Sequence, residues 1–201
     1  KSNPKFGLDY TIQQLNTKNL LSNGFESRND QYQQFGWRWN FFGDFSFLGE
    51  ANNGRKEVSS DFLNGRNYII AYTAVKPKFS WQNGAMSKVT AVGEWVEKRN
   101  TSGSEKTSIL KYGIESSVNS PGKGVFSAVV NFYNIQYNGS SGNSLAFDML
   151  EGLNPGFNAT WTLGVQRTVA TNLQLTINYF GRKPEGVKTI HSGGLQMRAF
   201  F

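Results

Sequence analysis

The sequence predicts an all-β fold, an antiparallel up-and-down transmembrane β-barrel of about ten strands. Three observations predict it. Apolar residues recur at every second position in segment after segment, short connections alternate with longer polar ones, and the composition is rich in aromatics and glycine but poor in charge. The 201 residues include 16 Phe, eight Tyr, five Trp and 22 Gly, and 17% are charged, below the roughly 25% of an ordinary soluble domain. The longest apolar run, Tyr68-Ile69-Ile70-Ala71-Tyr72, falls far short of the roughly 18 residues of a membrane-spanning helix. Barrels cross bilayers without such runs. The length suits one domain, 1–201, with a full core.

The elements follow in order. The first strand, 5–15, sets Phe6, Leu8, Tyr10 and Ile12 against Gly7, Asp9 and Thr11. The second, 30–41, sets Phe35, Trp37, Trp39 and Phe41 against Gly36, Arg38 and Asn40. A short third strand covers 43–51. The fourth, 65–82, contains Pro77, whose missing N–H predicts a bulge or a split. The fifth, 86–99, alternates Val89, Ala91, Gly93 and Trp95 with Thr90, Val92 and Glu94. The sixth, 106–118, alternates Leu110, Tyr112 and Ile114 with Lys111, Gly113 and Glu115. The seventh, 124–138, has two apolar phases, Phe126/Ala128/Val130/Phe132 and Val129/Tyr133/Ile135/Tyr137, which a bulge would reconcile. The eighth, 155–168, carries Phe157, Ala159, Trp161, Leu163 and Val165 in one phase, and the ninth, 172–182, carries Leu173, Leu175, Ile177 and Tyr179. The tenth, 188–201, alternates Leu195, Met197, Ala199 and Phe201 with Gln196, Arg198 and Phe200.

Connections after the even strands are short: Phe42-Gly43, Gln82-Asn83-Gly84-Ala85, Ser120-Pro121-Gly122-Lys123 and Val169-Ala170-Thr171. Asn-Gly and Ser-Pro-Gly are turn sequences with a backbone reason. The others, notably 16–29, 52–64 and 139–154, are longer and polar. Short turns at one end and long loops at the other are the pattern of a transmembrane barrel with a periplasmic short end. Aromatic rings then fall into two belts. Trp37, Trp39, Phe41, Phe79, Trp81 and Phe201 lie near the short turns, and Tyr68, Tyr72, Trp95, Tyr133, Tyr137, Phe157 and Tyr179 near the long loops. The alternative for these rings is the core of a soluble sandwich.

Composition excludes several chemistries. With no Cys and one His, there is no disulfide scaffold, thiolate nucleophile or His-rich metal site, and no cofactor is expected. The net charge of +7 comes from cations scattered through loops, without a basic run or a nucleic-acid motif. No nucleic-acid partner is expected. Arg38, Asp44, Glu94, Lys111, Glu115 and Arg198 fall opposite the apolar rows, and in a barrel they would converge on the lumen and pair there. A ten-stranded barrel is little wider than the eight-stranded type that side chains fill, so the lumen should be plugged by polar side chains. Leu145, Phe147, Met149, Leu150 and Leu153 are too apolar to be left in water; they either fold over the barrel mouth or dock a partner. His191 alone invites an enzymatic reading, but Ser192 must point to the opposite face, which leaves a rim histidine bonded to the 182–188 turn.

The ending Leu195-Gln196-Met197-Arg198-Ala199-Phe200-Phe201 resembles the terminal-strand signal by which insertion machinery recognises bacterial outer-membrane barrels, with Leu195, Met197, Ala199 and Phe201 as its apolar positions. Residues 172–183, Thr189-Ile190-His191-Ser192-Gly193, Phe147-Asp148-Met149-Leu150-Glu151-Gly152-Leu153 and Arg66-Asn67-Tyr68 together resemble the C-terminal barrel region of large, mostly uncharacterised outer-membrane proteins of Bacteroidota. The likeness spans much of 60–201. It implies a Gram-negative outer-membrane location and no catalytic residues, and it implies that 1–201 is the barrel end of a longer polypeptide or a piece of an assembly.

The expected function is therefore a non-enzymatic membrane anchor or structural subunit of an outer-membrane assembly. Its expected partners are outer-membrane lipid and lipopolysaccharide, the insertion machinery and other proteins of a complex. A narrow pore for small solutes stands second, a rim-site hydrolase third, and a soluble ligand-binding barrel is the alternative outside the membrane.

Overall fold

The computed structural model describes residues 5–22, 24–61 and 64–200. Ten strands form one sheet in sequence order, each antiparallel to the next. They are β1 (Phe6–Leu21), β2 (Gly24–Phe41), β3 (Phe45–Ser60), β4 (Tyr68–Asn83), β5 (Ser87–Asn100), β6 (Lys106–Ser120), β7 (Gly124–Tyr137), β8 (Gly156–Ala170), β9 (Leu173–Lys183) and β10 (Ile190–Ala199). A 3₁₀ turn, Asn64–Arg66, precedes β4, and a helix, α1 (Ser144–Met149), lies between β7 and β8. Among the described residues no ladder joins β1 to β10, and β10 is exposed along its whole length.

The registers put the predicted apolar rows on one face. Leu8, Trp37, Gly49 and Pro77 stand opposite one another across β1–β4. Ala91, Ile114, Val130, Trp161, Gly181 and His191 form one row across β5–β10. This face is open to the surroundings: Leu8 is 60%, Ile114 57% and Leu195 68% exposed. The other face carries Arg38, Glu50, Lys76, Glu94, Lys111 and Glu115. Over the middle and short-turn part of the strands, charged side chains lie on one face and exposed apolar ones on the other.

The charged face is concave. Val58 of β3, Ile70 of β4, Val96 of β5, Ile109 of β6 and Ile135 of β7 all bury in two clusters completed by Leu145, Ala146, Met149 and Leu150 of the α1 segment. Five flat strands would span about 19 Å, whereas a helix is only about 10 Å across. The sheet curls round the helix to bring all five strands onto it.

Several elements differ from expectation. Residues 16–21 and 24–29 are not a loop: β1 and β2 continue as a ladder to Leu21↔Gly24, through Asn16↔Asn29, Thr17↔Arg28 and Asn19↔Glu26. Most of 52–64 likewise extends β3 to Ser60. Polar residues occupy most positions on both faces of these extensions, and Leu20, Leu21, Phe25 and Val58 are too few and irregularly spaced to mark a two-residue period. Pro77 neither splits nor bulges β4. The register to β5 is the same before and after it (Val75↔Trp95, Lys78↔Val92), and Gly49 and Gly93 flank the ring. β7 needs no bulge either, because its register is unbroken and both its phases are used: Phe126, Ala128, Val130 and Phe132 face outward, and Tyr133, Ile135 and Tyr137 face α1. Among the described residues the one irregularity in the ladders is a register shift in β8 between Thr168 and Ala170.

The two-belt reading of the aromatics is corrected in part. Tyr68, Tyr72, Tyr133 and Tyr137 lie on the concave face, since they share a phase with buried Ile70 and Ile135. Trp95, Phe157 and Tyr179 do lie on the convex face. Distance from the turns says nothing of side; parity along the strand decides it.

Candidate functional site: the concave face and its helix

The helix α1 begins where Asn143, in extended conformation, accepts a hydrogen bond from the Ala146 amide at 2.6 Å through its side-chain oxygen, which satisfies one of the orphan donors of the first turn. It stops where Glu151 and Gly152 both turn left-handed, with φ of 56° and 69°. Gly152 then donates its amide to the Phe147 carbonyl at 3.0 Å. Between these stops Leu145, Ala146, Met149 and Leu150 are buried, Leu153 is partly buried, and Phe147 stays 68% exposed. The apolar segment therefore folds back onto the sheet, Phe147 excepted.

Polar contacts fix the helix and the residues just after it to the neighbouring strands β3, β4 and β5 and to β9. Asp148 accepts a hydrogen bond from the Tyr68 hydroxyl at 2.5 Å and pairs with the Lys56 ammonium at 2.9 Å. Lys98 donates to the Asp148 carbonyl at 3.1 Å and pairs with Glu151 at 2.8 Å. Arg182 of β9 donates to the Gly152 carbonyl. Burial alone would raise the Asp148 carboxyl, but the Tyr68 hydrogen bond and the Lys56 ammonium outweigh it and hold the group below the usual carboxylate range. Helix and sheet are latched as well as packed.

Nearer the short turns, Glu94 bridges Lys76 at 2.9 Å and Lys111 at 3.5 Å. Of the residues expected to converge, Glu94 and Lys111 do meet. Arg38, Glu115 and Arg198 point to the same face but form no ion pair among the described residues. Asp44 is a correction: it sits in the 42–44 turn before β3, which begins at Phe45, and belongs to neither face. Lys76 was missed because it adjoins Pro77, where the strand was expected to break. The turn at 84–86 places it opposite Glu94.

Beside α1 a cavity of about 590 Å³ opens over β2–β5, with Tyr32, Gln34, Asn52, Tyr72, Lys76 and Phe147 among its walls. No group of three or more His, Asp or Glu side chains has metal-binding geometry among the described residues. His191 lies on the convex face with its Nδ1 2.7 Å from the Tyr179 hydroxyl and its ring beside Trp161, so Tyr179 takes the role expected of the 182–188 turn. Leu195, Met197 and Ala199 line the convex face of β10; Phe201 lies outside the described residues. No protein-family model matches the sequence, and no curated protein matches it.

Proposed function

We propose that this chain is an outer-membrane β-barrel domain acting as a membrane anchor or structural subunit, its lumen filled by α1 and the Lys76–Glu94–Lys111 bridge. The observation that carries the reading is the sidedness of the sheet. A convex band of outward positions runs through 35–41, 75–81, 89–95 and 173–179. It is about 20 Å long between its end residues at ~3.3 Å per residue, near the roughly 25 Å apolar belt of known barrels. Water would not tolerate such a face; acyl chains would.

In this reading β1 and β10, which run antiparallel to each other, close the barrel against one another or against further strands. The apolar row of β10 serves the insertion machinery, and outer-membrane lipid, lipopolysaccharide and proteins of a membrane assembly are the partners. The cavity beside α1 supports a second reading, a narrow solute pathway that α1 obstructs. The test is extraction and planar-bilayer conductance of the purified chain. The anchor reading expects a requirement for detergent, slower gel migration after boiling and no large stable openings. Solubility without detergent would end the membrane reading, and large stable openings would replace the anchor by a pore.

A further inference from the structure

On the convex face, above the apolar band, the long-loop end of β4–β7 carries a groove of about 690 Å³. Its lower border is the row Val75, Trp95 and Leu110. One row up, every outward position from β2 to β7 is polar: Gln33, Asn53, Thr73, Glu97, Ser108 and Gln136. Trp95 donates its indole N–H toward the Ser108 hydroxyl at 3.4 Å, with its ring half exposed at the step, the position amphipathic rings take at a membrane surface. In the next row Arg99 and Lys106 stand directly opposite each other in the β5–β6 ladder, both exposed and neither in an ion pair among the described residues. Two like charges on facing positions destabilise a sheet. Ala71, the neighbour of Arg99 on β4, leaves the space beside them open.

We infer that this groove binds the phosphate of an anionic membrane lipid, with Arg99 and Lys106 as its cations. The inference rests on the membrane reading proposed above. An anion between the two cations removes the repulsion that the fold otherwise carries, and a charge-assisted bond from Arg99 fixes its position. The cations stand four residues beyond Trp95, about 13 Å along the strand, so a phosphate held there leaves its acyl chains to run down over Trp95 and Leu110. That continuity distinguishes a lipid from free phosphate. Glu97, between the band and the cations, opposes the anion and limits the affinity.

The experiment uses the full chain in detergent micelles and native mass spectrometry, with dioctanoyl phosphatidic acid, dioctanoylglycerol and inorganic phosphate as probes. Phosphatidic acid should be retained about tenfold or more over dioctanoylglycerol. The double variant Arg99→Gln/Lys106→Gln should lose that preference, Arg99→Lys/Lys106→Arg should keep it, and Glu97→Gln should raise it by roughly twofold to fivefold. All these side chains are exposed, so each variant should partition into detergent as the parent chain does. Equal retention by parent and double variant overturns the site. Inorganic phosphate binding as well as phosphatidic acid overturns the lipid assignment. Failure of the parent chain itself to enter micelles counts against the membrane reading, a result separate from any change in lipid preference.

Discussion

The Asp148 carboxylate ties α1 to both β3 and β4. Replacing it by Asn removes the ion pair with Lys56 and weakens the bond from Tyr68. We expect a loss of about 1–3 kcal/mol in docking of the helix, the range for breaking a partly buried charged contact. Hydrogen exchange should show it, with faster exchange through 143–152 and unchanged protection in β4–β6; equal loosening everywhere would contradict a local latch. The pH dependence has a definite sign. A carboxyl depressed in the folded state adds stability above its unfolded pKa of about 3.9, and that stability disappears as pH falls through its lower folded value. Protection of α1, taken relative to the intrinsic exchange rate at each pH, should therefore fall on acidification through that window in the parent chain. In Asp148→Asn the fall should be smaller.

Glycines within strands act at the scale of the element. Gly49 and Gly181 have ordinary extended backbone, so conformational freedom does not explain them. Each lies under a ring: Trp37 covers Gly49 from the adjoining strand, and Trp161 covers Gly181. Any Cβ there would enter the indole. Gly181→Val should displace Trp161 from the convex face and cost about 1–3 kcal/mol by overpacking. It should lower the temperature at which the folded gel band is lost, while a valine at Gly194, which has open space around its Cα, should change little. The strands themselves were legible because one face must be apolar and the other polar, a period-two signal that lasts as long as the two sides differ. It fades in 16–21 and 24–29, where polar residues fall on both sides and Leu20, Leu21 and Phe25 keep no alternation, and those residues read as a loop although they pair. The apolar half of α1 was legible by its excess of Leu and Met. Its polar half was not, since Lys56, Tyr68 and Lys98 lie far from Asp148 in the chain and only the curl of the sheet brings them together.

At the scale of the whole molecule, the outer backbone groups of β1 and β10 need hydrogen-bond partners. Hydrocarbon cannot hydrogen-bond them, and an edge left bare in a bilayer costs several kcal/mol per group. Membrane residence therefore demands that these edges be paired. The absence of native Cys makes the demand measurable without background thiols. Pairs of cysteines placed one on β1, at Leu8 or Tyr10, and one on β10, at Leu195, Met197 or Ala199, probe the outward-facing positions of both edges. If the domain closes on itself, at least one pair will oxidise within a single chain in membranes, because disulfides form only where Cα atoms approach to about 4.4–6.8 Å. The cross-linked chain should then keep its compact gel mobility after boiling and regain full-length migration on reduction. Cross-links that join two chains would make the barrel a shared one, and the complete absence of cross-linking at every pair would mean that other strands cover both edges.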